Sequence, residues 1–196
     1  MKKKKKMEIK IGCVIMASGQ GKRFGSNKLL CELEDRPVIS YILEATACLE
    51  HRIVVTRHRE IEALCARRQI PVMLHDQPDR SDTIRLGLTA LLSQDPHLAG
   101  CMFAAADQPC LQRTSIENLC RSFQAEPQYI WRLSFHGCPG NPVIFPYSCF
   151  DALLSLPERA GGSYLMQMHP EMVRQTEACD SRELLDVDTP EALALL

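Results

Sequence analysis

The sequence predicts a three-layer α/β protein built on a doubly wound, mostly parallel β-sheet, and three observations lead to this prediction. Short apolar runs alternate with segments of helical period three times in the first half of the chain. The run at residues 101–106 has no polar alternation, which is typical of a strand buried on both faces. A length of 196 residues is enough for one sizeable core and too short for two ordinary domains.

Each predicted strand in the first half is followed by a helix whose apolar positions recur every three or four residues. The helix after the first strand has its apolar face from Val38 to Leu49, and Pro37 suits its first turn. Right-handed crossovers between such strands place the ligand crevice beyond their carboxyl ends. The predicted strands lie at residues 13–16, 53–55, 72–74 and 101–106.

The second half predicts shorter elements separated by turns rich in glycine and proline. Thr189, Pro190 and Glu191 provide the cap, the first-turn proline and the first-turn acid of a closing helix. With no internal repeat or linker, residues 8–196 are expected to form a single domain behind a disordered basic tail at residues 1–7. The expected strands lie at residues 129–135, 143–145 and 172–176, with a short helix at residues 150–154.

Composition and charge exclude several classes of function. The formal net charge of -1 gives no global attraction to a nucleic-acid backbone or an acidic membrane. No apolar run approaches the roughly 18 residues of a membrane helix. The lysines at residues 2–6 predict a solvated tail and not a signal peptide. We therefore expect a cytoplasmic protein that binds neither nucleic acid nor a membrane.

The ten cysteines do not form a disulfide or zinc pattern. No export signal accompanies them, and no two stand at C-x-x-C spacing. The six histidines offer no H-E-x-x-H pair. Thiols among apolar neighbours, such as Cys13, Cys65 and Cys101, are expected to be reduced core residues.

The loop after the first strand has the chemistry of a phosphate-binding loop. Residues 17–28 (A-S-G-Q-G-K-R-F-G-S-N-K) combine three glycines, whose backbone N–H groups can turn toward an anion, with three cations. Gly25 comes one position too late for the dinucleotide pattern G-x-G-x-x-G. The P-loop pattern fails because Met16 and Arg23 occupy the places of its first glycine and its hydroxyl. A glycine-rich turn with surface cations is the alternative interpretation.

Residues 16–30 resemble the opening signature of the MobA-like nucleotidyltransferases, L-A-A/G-G-x-S-x-R-F/M-G-x-x-K-L-L. The match includes Arg23, Phe24, Gly25 and the run from Lys28 to Leu30. The resemblance implies a Rossmann-like nucleotidyltransferase fold whose loop wraps a nucleoside triphosphate. It further implies that Arg23 and Lys28 contact the phosphates and take part in catalysis. The implied nucleotide-binding residues are Ala17, Ser18, Gly19, Gln20, Gly21, Arg23 and Lys28.

Three further motifs follow in the family's order. Asp107 stands in A-D-Q-P directly after the most buried strand and resembles the aspartate that binds the catalytic Mg²⁺. Asp188, in D-V-D-T-P-E, resembles a second carboxylate for the metal. For each aspartate, capping of the next helix is the alternative. The segment G-N-P-V-I-F begins with Gly140, Asn141 and Pro142, which the resemblance assigns to acceptor binding.

The resemblance implies attack of an acceptor phosphate on the α-phosphorus of the triphosphate, with Mg²⁺ as cofactor and molybdopterin as acceptor. The opening Ala17-Ser18-Gly19 leans toward CTP, because GTP-using relatives tend to have L-A-G-G. Residues 80–85 and 160–165 depart from the family's usual acceptor-side segments. A GTP-using guanylyltransferase and a sugar- or polyol-phosphate nucleotidyltransferase therefore stay open. A non-catalytic accessory protein for a molybdenum enzyme is a further alternative. If the protein is the transferase, a molybdenum enzyme is the expected recipient of its product.

Overall fold

The computed structural model describes residues 9–19 and 27–194. Its strands include two very short ones, β2 and β3, which pair with each other beside the main sheet. In chain order the strands are β1 (Ile11–Ala17), β2 (Glu32–Leu33), β3 (Arg36–Pro37), β4 (His51–Thr56), β5 (Val72–Leu74), β6 (Gly100–Ala105), β7 (Ile130–Phe135), β8 (Cys138–Pro146) and β9 (Val173–Glu177).

The α-helices of the described residues lie on both faces of the main sheet, and short 3₁₀ turns join several of them to strands. None is long and apolar enough to cross a membrane. The helices are α1 (Ile39–Ala45), α2 (Arg59–Arg67), α3 (Arg80–Gln94), α4 (Arg113–Ala125), α5 (Phe150–Leu154), α6 (Gly162–Met168) and α7 (Pro190–Ala194). The 3₁₀ turns are Lys28–Leu30, Thr46–Cys48, Tyr147–Cys149, Pro170–Met172 and Ser181–Leu184.

The main sheet has seven strands in the order β5-β4-β1-β6-β8-β7-β9. Strands β5, β4, β1 and β6 run parallel to one another, and β7 and β9 are also parallel. Strand β8 lies antiparallel between β6 and β7. The predicted three-layer, doubly wound and mostly parallel α/β fold is therefore confirmed.

The beginning of α1 differs from the sequence prediction. Pro37 does not lie in the first turn of the helix, because it belongs to β3 and pairs with Glu32 of β2. The helix begins at Ile39 and changes to a 3₁₀ turn at Thr46, whose hydroxyl donates to the Ile42 carbonyl oxygen at 2.7 Å. The predicted bounds at residues 72–74 and 150–154 agree with β5 and α5.

Strand residues alternate between two apolar layers, one on each face of the sheet. Ile15, Met102 and Ala104 pack with α1, α2 and α4. Val14, Val55 and Phe103 point to the other face, where they pack with α3 and α5. This alternation follows from the period-2 geometry of a strand. It explains why the central strands are apolar throughout.

The register brings the loops after β1 and β6 together. Met16 pairs with Ala105, so both strands end at the same level. Ala17 pairs with Thr56 at the end of β4, and the Thr56 hydroxyl donates to the Ala17 carbonyl oxygen at 3.0 Å. Residues 18–19 and 106–109 consequently meet at the carboxyl ends of the central strands, as expected for a doubly wound sheet.

Helix α3 lies unusually close to the sheet at Gly87. A Cβ atom built at Gly87 would stand 2.6 Å from Cγ1 of Val14 and 2.9 Å from Cγ2 of Val55. Both neighbours are fully buried, so neither side chain has free space into which it could rotate. Gly87 therefore sets the distance between α3 and the sheet.

We predict that Gly87→Ala destabilises the protein although alanine is the better helix former. Overpacking costs about 1–3 kcal/mol, and the helical gain of alanine over glycine offsets about 0.5–1 kcal/mol. A net loss of about 1 kcal/mol, and at most about 2.5 kcal/mol, should appear in chemical denaturation. Thr89→Ala, at an exposed position of the same helix, is the control and should stay near the parent. Equal or higher stability of Gly87→Ala would show that α3 can move away from the sheet.

Candidate active site

A cleft of about 760 Å³ opens over the face of the sheet that α3 and α6 cover. Its floor consists of strand side chains, among them Met16, Phe103, Ala105 and Val143. The first turns of α3 and α6 contribute to its walls. The predicted site residues that line this cleft are Ser18, Gly19, Lys28, Asp107, Asn141 and Asp188.

The ammonium of Lys28 joins two segments that are far apart in sequence. Its Nζ lies 2.6 Å from Oδ2 of Asp107 and 2.9 Å from Oδ1 of Asp188. Lys28 begins a 3₁₀ turn that Asn27 caps by accepting a hydrogen bond from the Leu29 N–H at 3.2 Å. Partial burial acts to lower the pKa of Lys28, but its hydrogen bonds to both aspartates outweigh burial and raise the pKa. Lys28 is therefore a fixed positive charge.

Asp107 is held in place by the backbone of the late motif. It follows β6, and its carbonyl oxygen accepts a hydrogen bond from the Val187 N–H at 2.9 Å. The Thr189 hydroxyl accepts from the Ala192 N–H at 3.2 Å, so the late motif also caps α7. Capping and placement in the cleft are thus compatible roles for the same six residues.

Glu183 anchors the late motif to α4. Its residue is fully buried, and its Oε2 accepts a hydrogen bond from the Gln112 N–H at 2.9 Å. Its Oε1 accepts from the hydroxyl of Ser115 at 3.0 Å and from the Cys179 N–H at 2.8 Å. Several donors thus satisfy the hydrogen-bonding capacity of these buried oxygens. This network holds residues 186–188 beside Asp107.

Asp186 is a third carboxylate in the cleft that the sequence motif contained but that we did not predict as a site residue. The residue is partly exposed, and it lines the cleft together with the other two acids. Desolvation, followed by repulsion from the Asp107 carboxylate, raises the pKa of Asp186. Burial and the neighbouring acids therefore disfavour the ionised form of Asp186.

This donor set fits Mg²⁺. Carboxylate oxygens are its preferred ligands, and it usually binds one or two carboxylates together with phosphate oxygens and water. Within residues 9–19 and 27–194, no group of three or more His, Cys, Asp or Glu side chains is arranged to hold a metal by itself. Asp107 and Asp188 therefore suit an ion that shares its coordination shell with a bound polyphosphate.

Ser18 and Gly19 are tied to the loops that follow the neighbouring strands. The Ser18 hydroxyl donates to the Val55 carbonyl oxygen at 3.1 Å and lies 2.8 Å from Nε2 of His75. The Gly19 carbonyl oxygen lies 2.9 Å from Nε2 of His58. Desolvation and then the positive charge of Arg57 lower the pKa of His75, so its ring is neutral near pH 7. The Ser18 side chain is thereby fixed at the edge of the cleft.

Several predicted site residues do not line the cleft or lie beyond the described ranges. Ala17 is buried beneath it, where its methyl group belongs to the core. Gly140 and Pro142 belong to β8, and of the three residues predicted to bind the acceptor only Asn141 lines the cleft. Gln20, Gly21, Arg23 and the tail at residues 1–7 lie outside the described residues, so their expected roles stay predictions.

Three arginines line the cleft without having been predicted. Arg57 follows β4, Arg80 begins α3, and Arg132 lies in the interior of β7. The sequence indication for Arg132 was a charged residue inside a mostly apolar predicted strand. For Arg57 and Arg80 the sequence offered only their positions after a strand and at a helix start. Together with Lys28, these residues make the cleft suitable for anionic ligands.

The doubly wound sheet, its strand-end cleft and the cations around that cleft define an α/β nucleotidyltransferase fold. The chain belongs to the family of MobA-like NTP transferase domains, which it matches over residues 13–175. It is 29% identical to the purine catabolism protein PucB of Bacillus subtilis over 194 residues, covering 91% of each chain. The family resemblance predicted from the sequence motifs is therefore confirmed.

Solved structures show the same fold at low sequence identity. The crystal structure of Rv0371c from Mycobacterium tuberculosis is 21% identical, with a TM-score of 0.82 over 96% of this chain and 97% of that one. The same protein in complex with manganese gives a TM-score of 0.71 at 18% identity over 95% and 97%. A CMP:2-keto-3-deoxy-manno-octonic acid synthetase complexed with CTP gives 0.75 at 15% identity over 95% and 96%. At these identities the likeness concerns the fold alone.

We predict that Asp186→Asn raises stability near neutral pH and loses this advantage in acid. The folded-state pKa of Asp186 is raised, so its ionisation penalises the folded state above that pKa. The penalty disappears below the unfolded value of about 4. Screening at this partly exposed position keeps the gain below about 1 kcal/mol, which corresponds to at most about 2–4 °C in Tm. The measurement is Tm at pH 7 and pH 4.

Asp76→Asn, at an exposed position, is the matched control and should show no such pH-dependent gain. If Asp186→Asn is no more stable than the parent at pH 7, the three acids do not repel one another as the structure indicates.

Proposed function

We propose that the protein transfers a cytidylyl group from CTP to the phosphate of molybdopterin and releases pyrophosphate. The observation that carries the proposal is the Lys28 ammonium between the carboxylates of Asp107 and Asp188 in a cleft lined by further cations. Such an arrangement can position two phosphate groups and neutralise their charge, which is most of what phosphoryl and nucleotidyl transfer require.

The proposed reaction needs no general base. An oxygen of the acceptor's dianionic phosphate forms a bond to the α-phosphorus of the triphosphate, and the bond from that phosphorus to the bridging oxygen of the β-phosphate breaks. The total charge of four on the triphosphate and two on the acceptor is conserved in a diphosphate diester and a pyrophosphate tetra-anion. No proton has to leave, so the neutral His75 is not required as a base. Lys28 and Arg23 are expected to hold the β- and γ-phosphates.

Asp107 and Asp188 are the proposed Mg²⁺ ligands. When bound, the ion would act as a Lewis acid on the phosphate oxygens. The residues themselves orient the site: the Val187 N–H fixes the Asp107 backbone, and Lys28 neutralises the two acids between turnovers. The manganese complex of Rv0371c, a protein of the same fold, is compatible with a divalent metal here.

CTP is the proposed donor because Ser18 stands where a double-glycine loop would leave room for a purine. Its hydroxyl is fixed by Val55 and His75, so its side chain cannot easily turn out of the way. The CTP-complexed synthetase shows that a protein of this fold can bind CTP. PucB, whose name gives a process and no substrate, neither favours nor opposes the choice.

Molybdopterin is the proposed acceptor, with a cytoplasmic molybdenum enzyme as the recipient of the product. The support is the family of MobA-like NTP transferase domains together with Asn141 at the cleft. Residues 160–165, which depart from the family's usual segment, place Gly162 and Ser163 at the cleft wall, where a different acceptor would also make contact. The acceptor is therefore best tested directly.

We predict that Asp107→Asn lowers kcat for pyrophosphate release from CTP and molybdopterin by about 10² or more, the usual cost of removing a key electrostatic group. The fold should persist, because Asp107 is partly exposed and contributes little packing. Asp151→Asn, at an exposed position that does not line the cleft, is the control and should keep parental activity. Near-parental turnover of Asp107→Asn over a range of Mg²⁺ concentrations would refute the metal assignment.

The preference for CTP is expected to decrease in Ser18→Gly. Crowding by one small side chain gives a preference of about 10–200-fold, so the ratio of kcat/KM for CTP to that for GTP should approach one in the variant. His75→Asn keeps the Ser18 side chain but removes the His75 ring beside its hydroxyl. This variant therefore tests the hydrogen bond separately from the size of the serine side chain. A parent that prefers GTP would contradict the choice of CTP, and an unchanged ratio in Ser18→Gly would place base selection elsewhere in the cleft.

A further inference from the structure

Arg132 is a half-buried cation without a matching anion among the described residues. Its Nη2 donates to the Gly140 carbonyl oxygen at 3.0 Å, while its Nε is buried and has no hydrogen-bond partner. No described carboxylate forms an ion pair with it. Buried charges are normally paired, because desolvation without compensation is costly. The guanidinium therefore has room for an anion that no described residue supplies.

The position of Arg132 in the sheet indicates which anion this is. The predicted phosphate-binding loop follows β1, and the proposed metal ligand Asp107 follows β6. Arg132 lies in β7, which is two strands beyond β6 in the sheet. Neighbouring strands lie about 4.8 Å apart, so the axis of β7 is roughly 10 Å from that of β6. Arg132 thus lies on the opposite side of Asp107 from the end of β1, where Ser18 and Gly19 lie.

Arg132 is also coupled to the segment predicted to bind the acceptor. Arg132 pairs with Val143 and Ser134 pairs with Pro139, so β8 bulges over Gly140, Asn141 and Pro142. The Arg132 guanidinium holds the Gly140 carbonyl oxygen within this bulge. Arg132 and Asn141 both line the cleft. Bulges beside active sites commonly redirect side chains, here toward the cleft.

We propose that Arg132 binds the phosphate of the acceptor and holds it for attack on the α-phosphorus, so that the acceptor is a phosphate monoester. This inference rests on the proposed nucleotidyl transfer but not on the identity of the acceptor. Because Nε is buried, the Nη1 and Nη2 groups are the donors left for bidentate binding of a phosphate, and among the described residues only the Gly140 carbonyl oxygen accepts from them.

The test uses methyl phosphate as the probe, titrated by calorimetry into protein saturated with Mg²⁺ and α,β-methylene-CTP so that the nucleotide site is filled. We expect Arg132→Gln to weaken methyl phosphate binding about 10- to 150-fold, the range of one charge-assisted contact, without changing the affinity for the CTP analogue. Arg132→Lys keeps the charge and should recover part of the loss. Arg121→Gln, an exposed arginine outside the cleft, is the matched control.

Three results would overturn the inference. The parent protein could fail to bind methyl phosphate at millimolar concentration, Arg132→Gln could bind it as the parent does, or Arg132→Gln and Arg132→Lys could lose the CTP analogue and methyl phosphate equally. An Arg132-dependent phosphate site in a protein that does not cytidylylate molybdopterin would instead refute the proposed acceptor and leave the present inference intact.

Discussion

The geometry of the site depends on the contact between the Lys28 ammonium and the carboxylates of Asp107 and Asp188. Asp107 lies 79 positions after Lys28 in the sequence, and Asp188 lies 160 positions after it. The contact joins these three segments at the carboxyl ends of β1 and β6. Each carboxylate alone would gain little from an exposed partner. Placed around one half-buried cation, they fix the positions of the 3₁₀ turn at Lys28–Leu30 and of the late motif relative to each other.

The Glu183 network is what makes this contact possible. The late motif follows the 3₁₀ turn at Ser181–Leu184 and runs into α7. The buried Glu183 carboxylate accepts hydrogen bonds from four donors, and together they hold its side chain in place. The donors belong to residues 112, 115, 179 and 180. A residue without any contact to the cleft thereby determines where Asp186 and Asp188 lie.

Much of this architecture was predictable from the sequence because it depends on local pattern. Apolar periodicity predicted the β1, β4, β5 and β6 strands, and the resemblance to the MobA-like motifs indicated Lys28, Asp107 and Asp188. Contacts across the sheet were not predictable. Nothing in the sequence shows that β8 runs antiparallel, that Arg132 points toward the cleft, or that Pro37 leaves the helix to pair in a two-stranded ribbon. Ser18 was recognised as a departure from the family motif, but its contact with His75 required the fold.

The antiparallel strand β8 separates the sheet into two parts. On one side, β5, β4, β1 and β6 form a parallel unit that supplies Ser18, Lys28 and Asp107, and on the other side β7 and β9 form a second parallel pair that supplies Arg132. The boundary is a single hairpin, which tolerates insertions and bulges without changing the register of the parallel unit. A longer or shorter β7–β8 hairpin would therefore reshape the cleft around Arg132 and leave the positions of Ser18, Lys28 and Asp107 as they are.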